Sequence, residues 1–228
     1  MKLSKRLRKI EQMVTSDYSH IWDCCCDHGF LGAALLSRQA ANNIHFVDIV
    51  PDLMSELASK LQRFYSDSAS NWYTHCLDVA ELPLQQHEGK QLIIIAGVGG
   101  DLMIQFIEAL HRKHALASNN SNIDFLLCPV HHQFALRQKL IELNFSLKDE
   151  ALVEDNQRFY ETILVSSKPD ESAPISFVGD KIWQSDSDKQ ANINQKYLIK
   201  TLNHYQRIQQ GNTTDVSHII DAYRAITL

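Results

Sequence analysis

The run SLKDEALV at residues 146–153, the turn-rich Glu154-Asp155-Asn156-Gln157 and the run RFYETILVS at 158–166 decide the fold. Two β-rich runs separated by four residues leave no room for a crossover helix, so they are predicted to pair as an antiparallel hairpin. The chain before them reads differently. Short β-rich runs at 20–24, 44–48, 72–77, 92–96 and 124–128 alternate with helical segments near 30–40, 52–65, 100–114 and 133–144. Strands separated by helices of ten or more residues pair in parallel through right-handed crossovers, with helices on both faces of one sheet. Residues 92–95 are apolar throughout, as a strand covered on both sides requires. The expectation is an α/β fold with a mostly parallel seven-stranded sheet that closes in a C-terminal antiparallel hairpin.

The chain has 228 residues, of which 44% are hydrophobic and 21% charged, a globular composition that supports one principal core without a staple. Five cysteines, three of them adjacent at Cys24, Cys25 and Cys26, suit reduced thiols and not a secreted disulfide framework. No apolar window is long enough to span a membrane and no signal-peptide pattern opens the chain, so a cytoplasmic protein is expected. A net charge of -5 argues against coating nucleic acid by bulk charge and leaves that task to local patches. One such patch is the N-terminal cluster Lys2, Lys5, Arg6, Arg8 and Lys9. Leu3, Leu7, Ile10 and Val14 recur there at helical spacing, so the chain opens on a basic amphipathic helix. Residues 168–176 are rich in Ser, Pro and acids and read as a linker. A domain over 1–167 is therefore expected, followed by a small helical element over 177–228 with helices near 188–209 and 214–226, broken at Gly211-Asn212. On the first of these helices Lys196, Lys200, Asn203 and Arg207 occupy a different face from the apolar Leu198, Leu202 and Tyr205.

In an open α/β sheet, ligands sit at the carboxyl ends of the strands where the strand order reverses. Each predicted strand end carries something to examine. After the first come Asp23, Asp27, His28 and Gly29. Asp48 follows the second, where an acid can accept two ribose hydroxyls through its two oxygens. Asp78 follows the third, placed to hold an adenine amino group. Singly, each acid is as well explained by a turn or helix cap, and Asp48 by the helix start at Pro51. Their placement at three consecutive strand ends favours a nucleoside-bearing cofactor. After the fourth strand, Gly97, Gly99 and Gly100 allow close backbone approach, without the lysine of a nucleotide-triphosphate loop. Neither the cysteine triplet nor Cys128 with His131 and His132 completes a tetrahedral ligand set, so no metal is expected. No histidine and acid are spaced to activate a cysteine nucleophile.

Three segments read Leu3-Ser4-Lys5-Arg6-Leu7, Asp23-Cys24-Cys25-Cys26-Asp27-His28-Gly29 and Gly97-Val98-Gly99-Gly100. Together they resemble the bacterial tRNA (adenine-22-N1)-methyltransferase family, which has Leu-Ser-x-Arg-Leu, Asp-x-Gly-Ser-Asp-His-Ala and Gly-Met-Gly-Gly at these places. The hairpin's Glu150-Ala151-Leu152-Val153-Glu154 and Tyr160-Glu161 are similar as well. The resemblance implies a Rossmann-like class I methyltransferase fold, S-adenosylmethionine as cofactor, tRNA as partner and methyl transfer to N1 of an adenine; a monomer without metal or membrane partner is expected. Carried over by position, Asp23, Gly29, Asp48, Asp78, Gly97, Gly99 and Gly100 would bind the cofactor. Asp27 and His28 would line the same site, each a candidate to orient the base, with a helix-start residue bonded to backbone as the alternative for His28. Arg6 and neighbouring Lys5 would lie near the RNA, and the face of Lys196, Lys200 and Arg207 is either a set of phosphate contacts or a solvated surface.

Adenine N1 already carries an in-plane lone pair, so the reaction needs alignment and desolvation more than a general base. Phe30 and Tyr160 could receive an unstacked base, although both residue types are more often core. The departures from the family are Cys25 for Gly, Ala96 for Cys, Val98 for Met and Cys128-Pro129-Val130 for Gln-Pro-Asn. They bear on substrate more than on fold. Two other functions stay open at this point: a methyltransferase acting on another RNA position or a small molecule, and a noncatalytic RNA-binding protein whose cofactor pocket has decayed.

Overall fold

A computed structural model describes residues 3–116, 123–211 and 214–228; Lys2 and Asn212 of the sequence reading lie outside them. The elements are α1 (Lys5–Met13), β1 (Tyr18–Cys24), α2 (Phe30–Ser37), β2 (Ala41–Asp48), α3 (Pro51–Phe64), β3 (Asn71–Cys76), β4 (Gln91–Ala96), α4 (Gly100–Leu116), β5 (Ile123–Cys128), α5 (Gln133–Glu142), β6 (Ser146–Asp155), β7 (Arg158–Ser166), α6 (Asp188–Gln210) and α7 (Ser217–Arg224). The strands form one sheet in the order β3-β2-β1-β4-β5-β7-β6. All pairs from β3 to β5 are parallel, and β7 runs antiparallel to both β5 and β6. This is the expected Rossmann-like methyltransferase topology, and it places the order reversal between β1 and β4.

The hairpin turn is tighter than its composition implied. Asp155 pairs with Arg158, so β6 takes in Glu154 and Asp155 and only Asn156 and Gln157 turn, both at positive φ (51° and 62°). Two consecutive left-handed residues make the turn whose twist matches that of paired strands. At the other end of the chain, Ser4 caps α1 by accepting from the Leu7 amide, and Ile10 and Met13 are buried against the sheet. Pro51 opens α3 at a position where its missing N–H costs nothing.

Each sheet face buries its own core. Ile21, Leu35, Phe46, Leu57, Leu92 and Ile94 lie on the face covered by α1, α2 and α3. Trp22, Val47, Ile93, Ile95, Ile107 and Leu136 lie on the other, beneath α4, α5 and two 3-10 turns at Val79–Glu81 and Leu84–Gln86. A third cluster joins Phe134 and Leu152 of the sheet domain to Ile182, Trp183, Tyr197 and Tyr223 of the C-terminal element. Beside it lies a buried ionic knot. Arg137 donates through Nε to Glu161 (2.8 Å), through Nη2 to Glu150 (2.7 Å) and through Nη1 to the Ser176 carbonyl (3.2 Å). The remaining carboxylate oxygens accept from the Tyr197 hydroxyl (2.5 Å) and from the Asp180 and Lys181 amides (2.6 and 2.7 Å). Burial disfavours both charges, but it is outweighed: Glu161 and then Glu150 hold the guanidinium above its ordinary pKa, and the Arg137 charge with the hydrogen bonds from Asp180, Arg137 and Lys181 holds the Glu150 carboxyl below its own. No described helix is long and apolar enough to cross a membrane.

Candidate active site

The four segments leaving β1, β2, β3 and β4 meet at one edge of the sheet. Asp48, at the end of β2, is half-buried, and its two oxygens each accept one backbone N–H: Oδ2 from Asp27 (3.1 Å) and Oδ1 from Val50 (3.2 Å). A carboxylate oxygen has two lone pairs, so each keeps one acceptor direction. Those two bonds fix the β1–α2 loop against the end of β2. Asp78 is exposed beyond β3 and accepts from the Ala80 amide (2.8 Å), which starts the first 3-10 turn. Asp23 is buried one residue before the end of β1, where its Oδ2 accepts from the Gly32 amide in α2 (2.7 Å). Burial raises its carboxyl to about 7, with the nearby Asp48 charge adding to the Gly32-opposed shift.

Cys25 sits among these acids. Burial first, then the charges of Asp48, Asp23 and Asp78, pushes its thiol up to about 12, so it is no thiolate nucleophile at neutral pH. Its φ is +55°, in the left-handed region that favours the glycine the resembled family has there. Asp27 also has positive φ (50°) and, with His28, lies on the open side, their side chains 70% and 46% exposed and 3.7 Å apart. Phe30, expected more often in a core, is 47% exposed beside His28.

The glycines of the β4–α4 loop divide in two. Gly97 has φ +90°, and a Cβ built on it would meet nothing nearer than Arg6 Nη1 at 3.7 Å. Gly97 therefore leaves a backbone cradle open at the sheet edge. Gly99 and Gly100 instead face the β5–α5 loop: a Cβ on Gly100 would stand 2.6 Å from the His132 carbonyl, and one on Gly99 would run into the His131 ring. Gly29 turns its hydrogen toward Leu57 and Phe46 where α2 begins.

Arg6 lies between this edge and a cleft. Its amide donates to Asp155 (3.2 Å) and its guanidinium lies 5.0 Å over the Tyr160 ring. Tyr160 lines a cleft of 530 Å³ between the sheet edge and α6, with His131, Arg158, Phe159, Lys200 and His204 among its walls. Lys200 also stands 5.4 Å over the Phe159 ring. Lys5 faces another groove, between α1, β6 and α6, while Lys196 and Arg207 are exposed on α6. Thus Lys200 lines the cleft, Arg6 lies over the ring of its Tyr160, and Lys5 does neither. The sequence reading missed Arg158 and His204, whose walls come from distant segments, and the exposed Asp101–His132 pair at 2.5 Å.

A family model described as a methyltransferase domain matches residues 3–163. The chain belongs to this methyltransferase-domain family. Among curated proteins none matches it. The fold of this methyltransferase is shared by the B. subtilis m1A22 tRNA methyltransferase TrmK, with 20% identity over 98% of this chain and 97% of that one and a TM-score of 0.76. It is shared too by M. capricolum TrmK in complex with S-adenosylhomocysteine (14% identity, 98% and 97% coverage, TM-score 0.73). A third likeness is to S. pneumoniae Sp1610, a putative tRNA (m1A22) methyltransferase in complex with S-adenosylmethionine (18% identity, 98% of both chains, TM-score 0.69).

Proposed function

We propose that this methyltransferase binds S-adenosylmethionine at the carboxyl ends of β1–β4 and methylates N1 of an adenine in tRNA, position 22 by its resemblance to that family. The observation that carries the reading is the meeting of Asp23, Asp48, Asp78 and the open Gly97 cradle at the point of strand-order reversal, one Arg6 side chain away from a basic, aromatic cleft. Structural relatives that bind this cofactor or act on tRNA support the same assignment.

The residues present fit the cofactor. The free acceptor directions of Asp48 suit two ribose hydroxyls, exposed Asp78 suits an adenine amino group, and Gly97 admits backbone contact with the methionine part. Asp23, near neutrality as a carboxyl, gains a partner from a nearby ammonium group. When bound, the cofactor supplies an electrophilic methyl on a sulfonium. The rest falls to this chain. Asp27 and His28, exposed at the mouth, are placed to accept from the adenine N6 amino group and so align N1 in plane. Attack turns neutral N1 into a cationic centre, which the Asp27 carboxylate stabilises. Phe30, Phe159 and Tyr160 offer faces for an unstacked base, and Arg6, Arg158 and Lys200 offer cations for the phosphates around it.

Labelled methyl transfer from S-adenosylmethionine to unmodified tRNA transcripts, followed by nucleoside analysis, tests the proposal. 1-Methyladenosine is the expected product. Label in another nucleoside, or none in tRNA while S-adenosylhomocysteine still binds, overturns the acceptor. In parallel, Asp48→Ala is expected to weaken S-adenosylhomocysteine binding by roughly 10- to 100-fold, the loss of one or two charge-assisted bonds. Unchanged affinity in calorimetry removes Asp48 from the site.

A further inference from the structure

On the sheet face beneath the 3-10 turns, imidazoles from separate parts of the chain meet away from the strand-end acids. His45 of β2 lies in register with Trp22 of β1 and Tyr73 of β3, stacked 3.8 Å from the Trp22 ring and 4.9 Å from the Tyr73 ring. It is fully buried. Its Nε2 stands 3.0 Å from His20 Nδ1, and its Nδ1 stands 3.0 Å from His75 Nε2. His87 arrives from the segment before β4, with its ring 4.8 Å from that of His20 and 4.9 Å from that of His45. That segment is anchored from below. Gln91 Nε2 donates to the carbonyls of Leu84 (2.9 Å) and His87 (3.1 Å), and its Oε1 accepts from Trp22 Nε1 (3.0 Å).

We infer that His20, His45 and His87 form a binding site for one divalent transition-metal ion of the zinc class. One ring nitrogen from each lies within 4.8 Å of the other two. Nitrogens bound to a tetrahedral zinc at ~2.0–2.1 Å stand about 3.3 Å apart. The 3.0 Å between His20 and His45 is near that spacing: the proton between them moves from Nδ1 to Nε2 of His20, which leaves a lone pair on each facing nitrogen, and the rings tilt toward a common point with His87. With Nε2 of His45 on the metal, its Nδ1–H donates to His75, the outer hydrogen bond that orients a metal-bound histidine. His20 and His87 are only half-buried, so the fourth position opens to water. An all-imidazole set selects zinc, copper or nickel over magnesium or calcium. The ion ties β1 and β2 to the end of the segment that begins at Asp78.

Cobalt(II) is the probe. Titrated into chelator-treated protein, it is expected to give one saturable equivalent with tetrahedral d–d absorption, no thiolate-to-cobalt charge-transfer band, and a higher melting temperature with zinc in its place. His87→Ala, on a surface segment, and His45→Gln, which keeps a polar group of similar reach, are each expected to abolish the step. Circular dichroism reports whether each variant is folded. The His131→Ala/His132→Ala double variant is expected to retain the step, since Asp101, His131 and His132 form a separate exposed group. Absence of a one-equivalent step in the wild-type protein overturns the site and leaves a chain of neutral hydrogen-bonded imidazoles. So does a step that survives in folded His87→Ala, carries a thiolate band, or disappears in the double variant.

Discussion

At the carboxyl ends of the parallel strands Asp48 keeps an acceptor direction free on each oxygen, whereas at the hairpin Glu150 and Glu161 have every oxygen occupied by Arg137, Tyr197 or a backbone amide. Both regions bury acids at a junction of several chain segments. The difference lies in the counter-charge: Arg137 supplies one inside the protein, while Asp23 has none and its carboxyl rises to about 7. A site satisfied from within holds elements together. One left short of a positive charge is poised to receive it from a ligand.

Removing the internal counter-charge is the hardest way to break the comparison. Arg137→Ala leaves two buried carboxylates facing each other and is expected to cost about 3–5 kcal/mol in denaturant unfolding. A cost under about 1 kcal/mol would mean that water reaches the knot. Asp23 is expected to respond in the opposite sense. Its folded pKa lies above the unfolded value of 3.8, so the folded state binds the extra proton between about 4 and about 7, and the wild-type protein loses stability as pH rises through that window. Asp23→Asn keeps an oxygen for the Gly32 amide and abolishes this loss. Its stability advantage over wild type is expected to grow from none near pH 4 to at most ~4 kcal/mol above pH 7, following the usual 1.4 kcal/mol per pKa unit. A pH-independent difference in thermal or urea unfolding would show that Asp23 stays ionised throughout. The smallest effect belongs to Cys25→Gly, which relieves a left-handed non-glycine and is expected to stabilise by about 1 kcal/mol in the same assay. A destabilised variant would show that the thiol's packing among the three acids outweighs the backbone strain.

The sequence made these two regions unequally legible. Parallel strands announce themselves through local apolar runs such as Gln91–Ala96, and the acids at their ends are found by inspecting the few residues beyond each run. The hairpin was legible from its turn composition, but not its two-residue length, because Asn156 suits a left-handed turn position whereas Gln157, where such turns favour glycine, gives no sign of the positive φ it adopts. Gly99 and Gly100 look identical to Gly97 in sequence. Only the packing of the 131–132 loop separates them from the open cradle. The Arg137 knot and the histidine group were invisible for a common reason. Their members sit far apart in the chain, at 137, 150 and 161 or at 20, 45 and 87, and only the packing of α5 on the sheet, or of the segment before β4 beside β1 and β2, brings them together.

The knot also sets an order of events on the ribosome. Synthesis runs from the N-terminus, so Arg137, Glu150 and Glu161 leave the exit tunnel before the Asp180 and Lys181 amides and the Tyr197 hydroxyl that complete their hydrogen bonds. Until α6 emerges, the nascent sheet must keep its last hairpin hydrated or leave those carboxylates short of partners. The stretch from Asp180 through Tyr197 of α6 is thus the last to close this junction, and a chain ending at β7 lacks the partners that complete it.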